Sequence, residues 1–182
     1  MATGSLGMEH LIPEVWTELG RAFTPEGDEL LLRRRGREYE LRMNGQELMA
    51  SRAHGSEEAM ARWACSELSD PGSAQVLIGG LGFGYTLRAA LDALPRTACV
   101  TVAELMPEVV EWVRGPAAEL SGDPLGDPRV EVRVEDASLV LNASSGRFDA
   151  VLLDVDNSPE ELVRPANAGL FSVDGLLAIR GP

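Results

Sequence analysis

The pattern of apolar and polar positions changes along the chain, and its first part is typical of strands. Within residues 27–49, the segments ELLLRR and REYELRM alternate in the way that predicts antiparallel strands. Asn44-Gly45 predicts a tight turn after the second segment. This region is therefore predicted to be a small antiparallel β unit.

Residues 55–68 have a helical spacing of apolar positions instead. Ser56 is the predicted N-cap, and Glu57 and Glu58 fall in the first turn, where carboxylates interact favourably with the helix dipole. The spacing places Trp63 on the apolar face that we expect to be buried.

Beyond about residue 73, short apolar runs alternate with helical stretches. The runs AQVLIGG, ACVTVAE, RVEVRVE and AVLLD are typical of buried parallel strands. The alternation predicts βαβ units, and hence an α/β fold with a Rossmann-like, mostly parallel sheet. We predict an N-terminal segment at 1–26, a β unit with a helix at 27–72 and a Rossmann-like domain at 73–182.

Composition narrows the function classes. The chain has 182 residues, with 16 Lys and Arg against 29 Asp and Glu, a net charge of −13. This charge argues against nucleic acid and anionic membranes as partners. Small cationic ligands fit it better, and solubility alone also explains it. No apolar run approaches the roughly 20 residues that span a bilayer. MATGSLG, before Met8, is compatible with an added leader and has no secretory pattern, so we expect a cytoplasmic protein.

The two cysteines, Cys65 and Cys99, lie in apolar contexts. Neither belongs to a CxxC pair or has a histidine nearby in the sequence. We therefore expect two buried free thiols and no metal site.

The strongest chemical signal is the glycine-rich turn that follows the first apolar run. Gly80, Gly82 and Gly84 allow a sharp turn and a close approach of backbone N–H groups to a ligand. Ligands of open parallel sheets bind beyond the carboxyl ends of the strands. Tyr85 occupies the place of the third glycine in a dinucleotide fingerprint, so a mononucleoside fits better.

Carboxylates follow the other predicted strands. Glu104 is placed to accept both ribose hydroxyls of a nucleoside. Asp136 could accept a hydrogen bond from an adenine amino group, with Ala137 leaving room for the ring. Asp154 and Asp156 follow the last apolar run. The four strand ends are thus expected to bring Gly82, Glu104, Asp136 and Asp154 toward one crevice.

The ordered series resembles the spermidine synthase family of aminopropyltransferases, within the class I S-adenosylmethionine-dependent methyltransferase superfamily. The resemblance extends through about residues 28–180. It is carried by Asn44-Gly45, the glycine loop with Thr86-Leu87-Arg88, Glu104, Asp127-Pro128-Arg129-Val130, Glu135-Asp136-Ala137, Phe148-Asp149, Asp154, Asn167, Leu170-Phe171-Ser172 and Gly175-Leu176.

This resemblance implies a donor and a base. The donor would be decarboxylated S-adenosylmethionine or S-adenosylmethionine, and Asp154 would deprotonate the acceptor amine. Phe83 departs from the family, which has an aspartate that holds the donor amine, and Asn157 replaces a second aspartate. Glu57, Glu58 and Asp156 are weaker candidates for binding the amine, and His54 is expected to be a surface residue.

The resemblance also bears on the sheet and on assembly. Residues 155–182 are too few for the remaining strands of such a fold, so we expect a C-terminally incomplete sheet, with 175–180 starting a helix or forming a short strand. An exposed edge strand would then favour a homodimer. Three functions stay open: aminopropyl transfer, methyl transfer by the same nucleoside site, and a noncatalytic binding or assembly module.

Overall fold

The computed structural model describes residues 15–144 and 146–154. They form eight strands: β1 (Thr17–Phe23), β2 (Glu29–Arg35), β3 (Glu38–Met43), β4 (Gln46–Ala50), β5 (Gln75–Gly79), β6 (Cys99–Ala103), β7 (Val130–Arg133) and β8 (Ala150–Leu153). The helices among them are α1 (Gly55–Ser66), α2 (Tyr85–Ala93), α3 (Pro107–Arg114), α4 (Ala118–Ser121) and α5 (Ala137–Ala143), with a 3-10 turn at Pro124–Gly126.

The first four strands form an antiparallel sheet in the order β1-β2-β3-β4. The predicted strands at β2 and β3 are confirmed, as is the tight turn, where Asn44 has φ +49° and Gly45 has φ +79°. The sequence pattern did not predict β1. Its burial is irregular, because the register with β2 shifts between Glu18 and Gly20.

The other four strands form a parallel sheet in the order β7-β6-β5-β8. The chain moves outward from β5 to β6 and β7, then returns to the opposite side of β5 as β8. The strand order therefore reverses at β5, and ligands of open α/β sheets bind at such a switch point. The glycine-rich turn directly follows β5, and so lies at this point.

Alternate residues of β5 divide the apolar interior between the two faces of the sheet. Val76 and Ile78 join a large core that also includes residues of the antiparallel sheet and of α1, α2 and α3. Leu77 joins a smaller cluster with Ala137 and Leu141 of α5. The period of two along a strand thus covers both faces, and the predicted α/β class with a mostly parallel sheet and a small antiparallel unit is confirmed.

The buried face of α1 differs from the prediction. Ala61 and Cys65 are buried, whereas the side chain of Trp63 is 69% exposed. The helix packs against α2 and β8, and small side chains let helices approach closely. The N-cap is His54 rather than Ser56, so the helix starts earlier than predicted.

The cysteine prediction is half correct. Both thiols are free, and Cys65 is buried, which raises the pKa of its thiol. Cys99 is exposed, because it is the first residue of β6 at the edge where the strand enters the sheet. Residues 155–182, and with them the predictions for Asp156, Asn157 and the segment 175–180, lie outside the described part of the chain.

None of the helices within residues 15–144 and 146–154 is long and apolar enough to cross a membrane.

Candidate functional site

The turn between β5 and α2 has the backbone shape that its glycines make possible. Gly80, Gly82 and Gly84 have φ of +89°, +51° and +83°, in the left-handed region where a side chain is strained. The N–H of Gly80 donates to the carbonyl of Ala103 at 2.8 Å, so the turn is fixed to β6. Gly84 is the N-cap of α2.

The two later glycines also permit close packing. A Cβ on Gly82 would lie 2.6 Å from Cε of Met49 on β4. A Cβ on Gly84 would lie 2.8 Å from Oγ of Ser121, whose hydroxyl donates to the carbonyl of Phe83 at 2.7 Å. The conformation of the turn is therefore held by β4 and α4 as well as by the parallel sheet.

Glu104, directly after β6, is bound to this turn. Its Oε2 accepts the N–H of Leu81 at 2.8 Å, and its Oε1 accepts the N–H of Met106 at 2.8 Å. The residue is 8% exposed, and burial raises the pKa of the carboxyl, although these two N–H groups offset part of the rise. Glu104 thus lies beside the glycine turn as predicted from its strand-end position; its binding of a ribose stays a prediction.

Asp136 and Ala137 lie at the start of α5. Asp136 is the N-cap of this helix, and its Oδ1 accepts the N–H of Ser138 at 2.7 Å. Ala137 is buried, and a Cβ on Gly79 would lie 2.9 Å from its Cβ. The strand-end position of Asp136 thus has a capping role that the sequence reasoning did not consider.

Exposed apolar side chains lie at the same carboxyl edge of the sheet. Leu105, which follows Glu104, is 37% exposed. Val134 and Leu139, next to β7 and within α5, are also exposed. Exposed apolar side chains of this kind are suited to contact the face of an aromatic ring.

Asp154 directly follows β8 and is half-buried beside the first turn of α2. Its N–H donates to the carbonyl of Gly79 at 2.8 Å, and its Oδ2 accepts the hydroxyl of Thr86. Burial raises the pKa of the Asp154 carboxyl; the bond from Thr86 lowers it in part, and the charge of Glu57 raises it further. The pKa is therefore above its ordinary value, as suits a group that accepts a proton near neutral pH.

An aromatic pair lies between α1 and α2 near this carboxylate. The ring of His54 stacks on Tyr85 with 4.2 Å between centroids, and Nδ1 of His54 lies 2.6 Å from Oε1 of Glu58. Burial raises the pKa of Tyr85, and the charges of Glu57 and Glu58 raise it further. The side chain of His54 is 38% exposed, so it lies partly at the surface, and it also has two partners, Tyr85 and Glu58, that the sequence does not predict.

The structure thus brings Glu57, Glu58 and Asp154 to one region around Tyr85. Phe83 is buried beneath this region: its side chain is 3% exposed and meets Tyr85 edge-on, with 6.3 Å between ring centroids. Phe83 therefore contributes to the core, and the turn offers no charged side chain at this position.

Thr86, Tyr85 and Ser121 are the residues of this region whose contacts sequence reasoning missed. In the sequence, Thr86 belongs only to the Thr86-Leu87-Arg88 motif, although a hydroxyl in the first turn of a helix after a glycine-rich turn is a recognisable signal. No sequence signal brings Ser121 to this turn, because that contact depends on how α4 packs. Among the described residues, no group of three or more His, Cys, Asp or Glu could hold a metal ion.

Comparison with known proteins finds a curated relative and solved structures of similar fold. No protein-family model matches the chain. A curated polyamine aminopropyltransferase of Korarchaeum cryptofilum is 30% identical over 99 residues, which are 54% of this chain and 30% of that protein. The chain thus spans less than a third of the length of this relative.

Three solved structures of similar fold are two spermidine synthases and a probable spermidine synthase. That of Thermotoga maritima has a TM-score of 0.64 at 18% identity, over 80% of this chain and 49% of its own. A spermidine synthase in complex with the transition-state analogue AdoDATO has a TM-score of 0.67 at 18% identity, over 89% of this chain and 51% of its own.

A probable spermidine synthase of Corynebacterium glutamicum has a TM-score of 0.52 at 21% identity, over 75% of this chain and 51% of its own. The chain therefore spans about half the length of these solved proteins. Together with the curated relative, they confirm the resemblance to the spermidine synthase-like family, and the chain has the methyltransferase-like α/β fold that spermidine synthases share.

Proposed function

We propose that this chain is a spermidine synthase-like transferase that moves an aminopropyl group from decarboxylated S-adenosylmethionine to an amine. The observation that carries the proposal is the position of Asp154, half-buried at the switch point and bonded to the first turn of the helix that follows the glycine turn. The curated relative, a polyamine aminopropyltransferase, and the spermidine synthase bound to a transition-state analogue support the same reaction class.

The donor would bind along the carboxyl edge of the sheet. Gly80, Gly82 and Gly84 would let the backbone approach the nucleoside, and Glu104 would accept the ribose hydroxyls. Glu104 already accepts two N–H groups, but each carboxylate oxygen has a second lone pair for a further donor. Asp136 would accept from the adenine amino group, and the ring would lie against Leu105 and Ala137.

Asp154 would act on the acceptor. An alkyl ammonium is protonated at neutral pH and must lose a proton before its nitrogen can attack. Asp154 would take this proton. The nitrogen lone pair would then form a bond to the methylene carbon next to the sulfonium, as the carbon–sulfur bond breaks and its electron pair returns to sulfur. The products are the aminopropylated amine and methylthioadenosine, and Asp154 passes the proton to solvent.

The negative charge around Asp154 would attract the acceptor. Glu57 acts on the Asp154 carboxyl through its charge, and Glu58 lies on the same helix turn. A cationic amine placed near these groups would gain Coulomb energy that a neutral molecule would not. Asp156 is proposed as a further contributor.

Replacing the proposed base tests this function directly. In D154N, the rate of aminopropyl transfer should fall by at least about a hundredfold, because general base catalysis contributes roughly that much. The Kd of the donor should change little, because the nucleoside contacts lie elsewhere. Product formation can be followed by mass spectrometry, with donor binding measured by calorimetry.

D92N is a matched control. Asp92 is an exposed carboxylate at the far end of α2, paired with Arg88, so its loss should leave the rate unchanged. Transfer by D154N at the wild-type rate would show that the base is assigned wrongly.

Methyl transfer is a second candidate, favoured by one observation. The side chain of Phe83 is buried in the core, so the glycine turn carries no carboxylate for the donor's amine at this position. Calorimetry with S-adenosylmethionine, its decarboxylated form and methylthioadenosine separates the candidates. Preference for the decarboxylated form supports aminopropyl transfer, and preference for S-adenosylmethionine supports methyl transfer. If none of the three binds, the noncatalytic module is the remaining reading.

A homodimer, a cytoplasmic location and the domain division at residues 27–72 and 73–182 are kept as further parts of the proposal. Light scattering of the purified chain would contradict the homodimer if it gave the mass of one chain.

A further inference from the structure

Thr86 occupies an unusual position for a polar side chain. It is the second residue of α2 and is 1% exposed. A buried hydroxyl without a hydrogen-bond partner destabilises the fold, so buried hydroxyls are normally bonded. The partner of the Thr86 hydroxyl therefore indicates the role of this residue. The hydroxyl donates to Oδ2 of Asp154.

The same structural unit also holds the backbone of Asp154. The N–H of Asp154 donates to the carbonyl of Gly79, the last residue of β5. Gly79 and Thr86 lie on either side of the glycine turn. Both the main chain and the side chain of Asp154 are thus bound to the segment that carries the proposed donor site.

We propose that Thr86 is a positioning residue, whose hydroxyl holds the Asp154 carboxylate by one oxygen in a fixed orientation beside the glycine turn. The other oxygen, Oδ1, then accepts the proton of the amine. The catalytic part of this inference rests on the proposed function, whereas the orientation of the carboxylate does not. Because valine has nearly the volume of threonine, the hydroxyl rather than the shape of the side chain is the decisive feature.

The hydroxyl also affects the ionisation of Asp154. A donor bonded to a carboxylate stabilises its charged form, so removing the donor should raise the pKa. Other titratable groups near this carboxylate are Glu57 and Glu58 on α1 and Tyr85 on α2, and none of them changes in a Thr86 variant. Asp136, before α5, is likewise unchanged.

The first test needs no catalytic activity. The Asp154 carboxyl is titrated by carbon-13 NMR in the full wild-type chain, with its signal assigned by its absence from D154N. We expect T86V to raise the pKa of Asp154 and T86S, which keeps a hydroxyl, to leave it near the wild-type value. An unchanged pKa in T86V would overturn the proposal. If T86V does not fold, T86A is titrated in its place.

The second test separates positioning from donor binding. In T86V, kcat for aminopropyl transfer should fall about tenfold or more, which is the scale of one hydrogen bond to a charged group, while the donor Kd stays within about twofold. The acidic limb of the pH–rate profile should move to higher pH. T86S should restore the rate, and a T86S rate as low as that of T86V would overturn the proposal.

T24V is the matched control for general loss of a buried hydroxyl. Thr24 is also buried, and its Oγ1 accepts the N–H of Asp28 in the turn between β1 and β2, outside the site. We expect T24V to lower stability without changing the Asp154 pKa. If wild-type transfer is absent, the proposed function fails, but the NMR titration still decides the orientation of Asp154.

Discussion

Gly84 in the glycine turn is required for two separate reasons, its backbone conformation and the space beside it. Gly84 needs its positive φ to start α2, and it also needs the space that Ser121 and Pro124 leave beside it. A glycine motif in the sequence signals the first need, because the spacing of glycines after a strand is local. The second need depends on residues nearly forty positions away, so the sequence did not reveal it.

A comparison of two glycines separates these constraints. Gly84 and Gly27 have similar φ, +83° and +94°, but a Cβ on Gly27 would meet nothing within 4 Å, whereas one on Gly84 would lie 3.1 Å from Cγ of Pro124. G27A should lower the free energy of unfolding by about 1–2 kcal/mol, the cost of a left-handed side chain. G84A should lower the free energy of unfolding by the same amount and by about 1–3 kcal/mol more, because the added methyl overpacks the site. Urea denaturation measures both, and equal losses would contradict the packing argument.

At the scale of elements, the position of α2 is secured at both ends. Its first turn is bound to Asp154, and its last carbonyls are bound to Arg129 before β7. Nη1 of Arg129 donates to the carbonyls of Leu91 at 2.9 Å and Leu94 at 2.8 Å, while its Nη2 lies 2.8 Å from Oδ2 of Asp127. The Asp-Pro-Arg motif seen in the sequence is thus a support for the C-terminal end of α2.

This support predicts a dependence of stability on pH. Bonding to Arg129 lowers the pKa of Asp127 from 3.8 to about 2. Because the folded state holds this proton less tightly than the unfolded state, the stabilisation is present above about pH 4 and is lost as the pH falls towards 2. D127N should be less stable than the wild type at pH 6, and the gap should narrow on acidification.

Urea denaturation at pH 6, 4 and 3 measures this gap. D70N, which changes an aspartate in the turn before β5 that has no guanidinium partner among its hydrogen bonds, is the control. A gap between D127N and the wild type that stays constant with pH would contradict the role of Asp127.

At the scale of the whole molecule, the two sheets share one core. Residues of the antiparallel sheet, such as Leu32 and Tyr39, belong to the same buried cluster as Val76 and Ile78. The hydroxyl of Tyr39 donates to Oε1 of Glu119 on α4 at 2.7 Å. The antiparallel sheet therefore helps to shape the site, since β4 and α4 both contact the glycine turn.

One contact between the antiparallel sheet and α3 gives a sharp prediction. A Cβ on Gly20 of β1 would lie 2.3 Å from Nε1 of Trp112 on α3. G20A should therefore lower the free energy of unfolding by about 1–3 kcal/mol through overpacking. W112L should make the added methyl less harmful, so the two substitutions should be non-additive.

Thermal and urea unfolding of the single and double variants measure this coupling. G55A is the control, because a Cβ on Gly55 would meet nothing within 4 Å. If the losses in free energy of unfolding from G20A and W112L were additive, the predicted clash between the added methyl and the indole would be contradicted.

The sequence pattern predicts the α/β class, the strands β2, β3, β5, β6, β7 and β8, and the placement of the glycine turn and carboxylates at strand ends. These features follow from local periodicity and from the rule that parallel strands present their carboxyl ends at one edge. Other features are visible only in the folded chain: the exposure of Trp63 and Cys99, the burial of Phe83, the stacking of His54 on Tyr85 and the bond from Thr86 to Asp154. Each depends on which helix face meets which neighbour, and that is set by packing between residues distant in sequence.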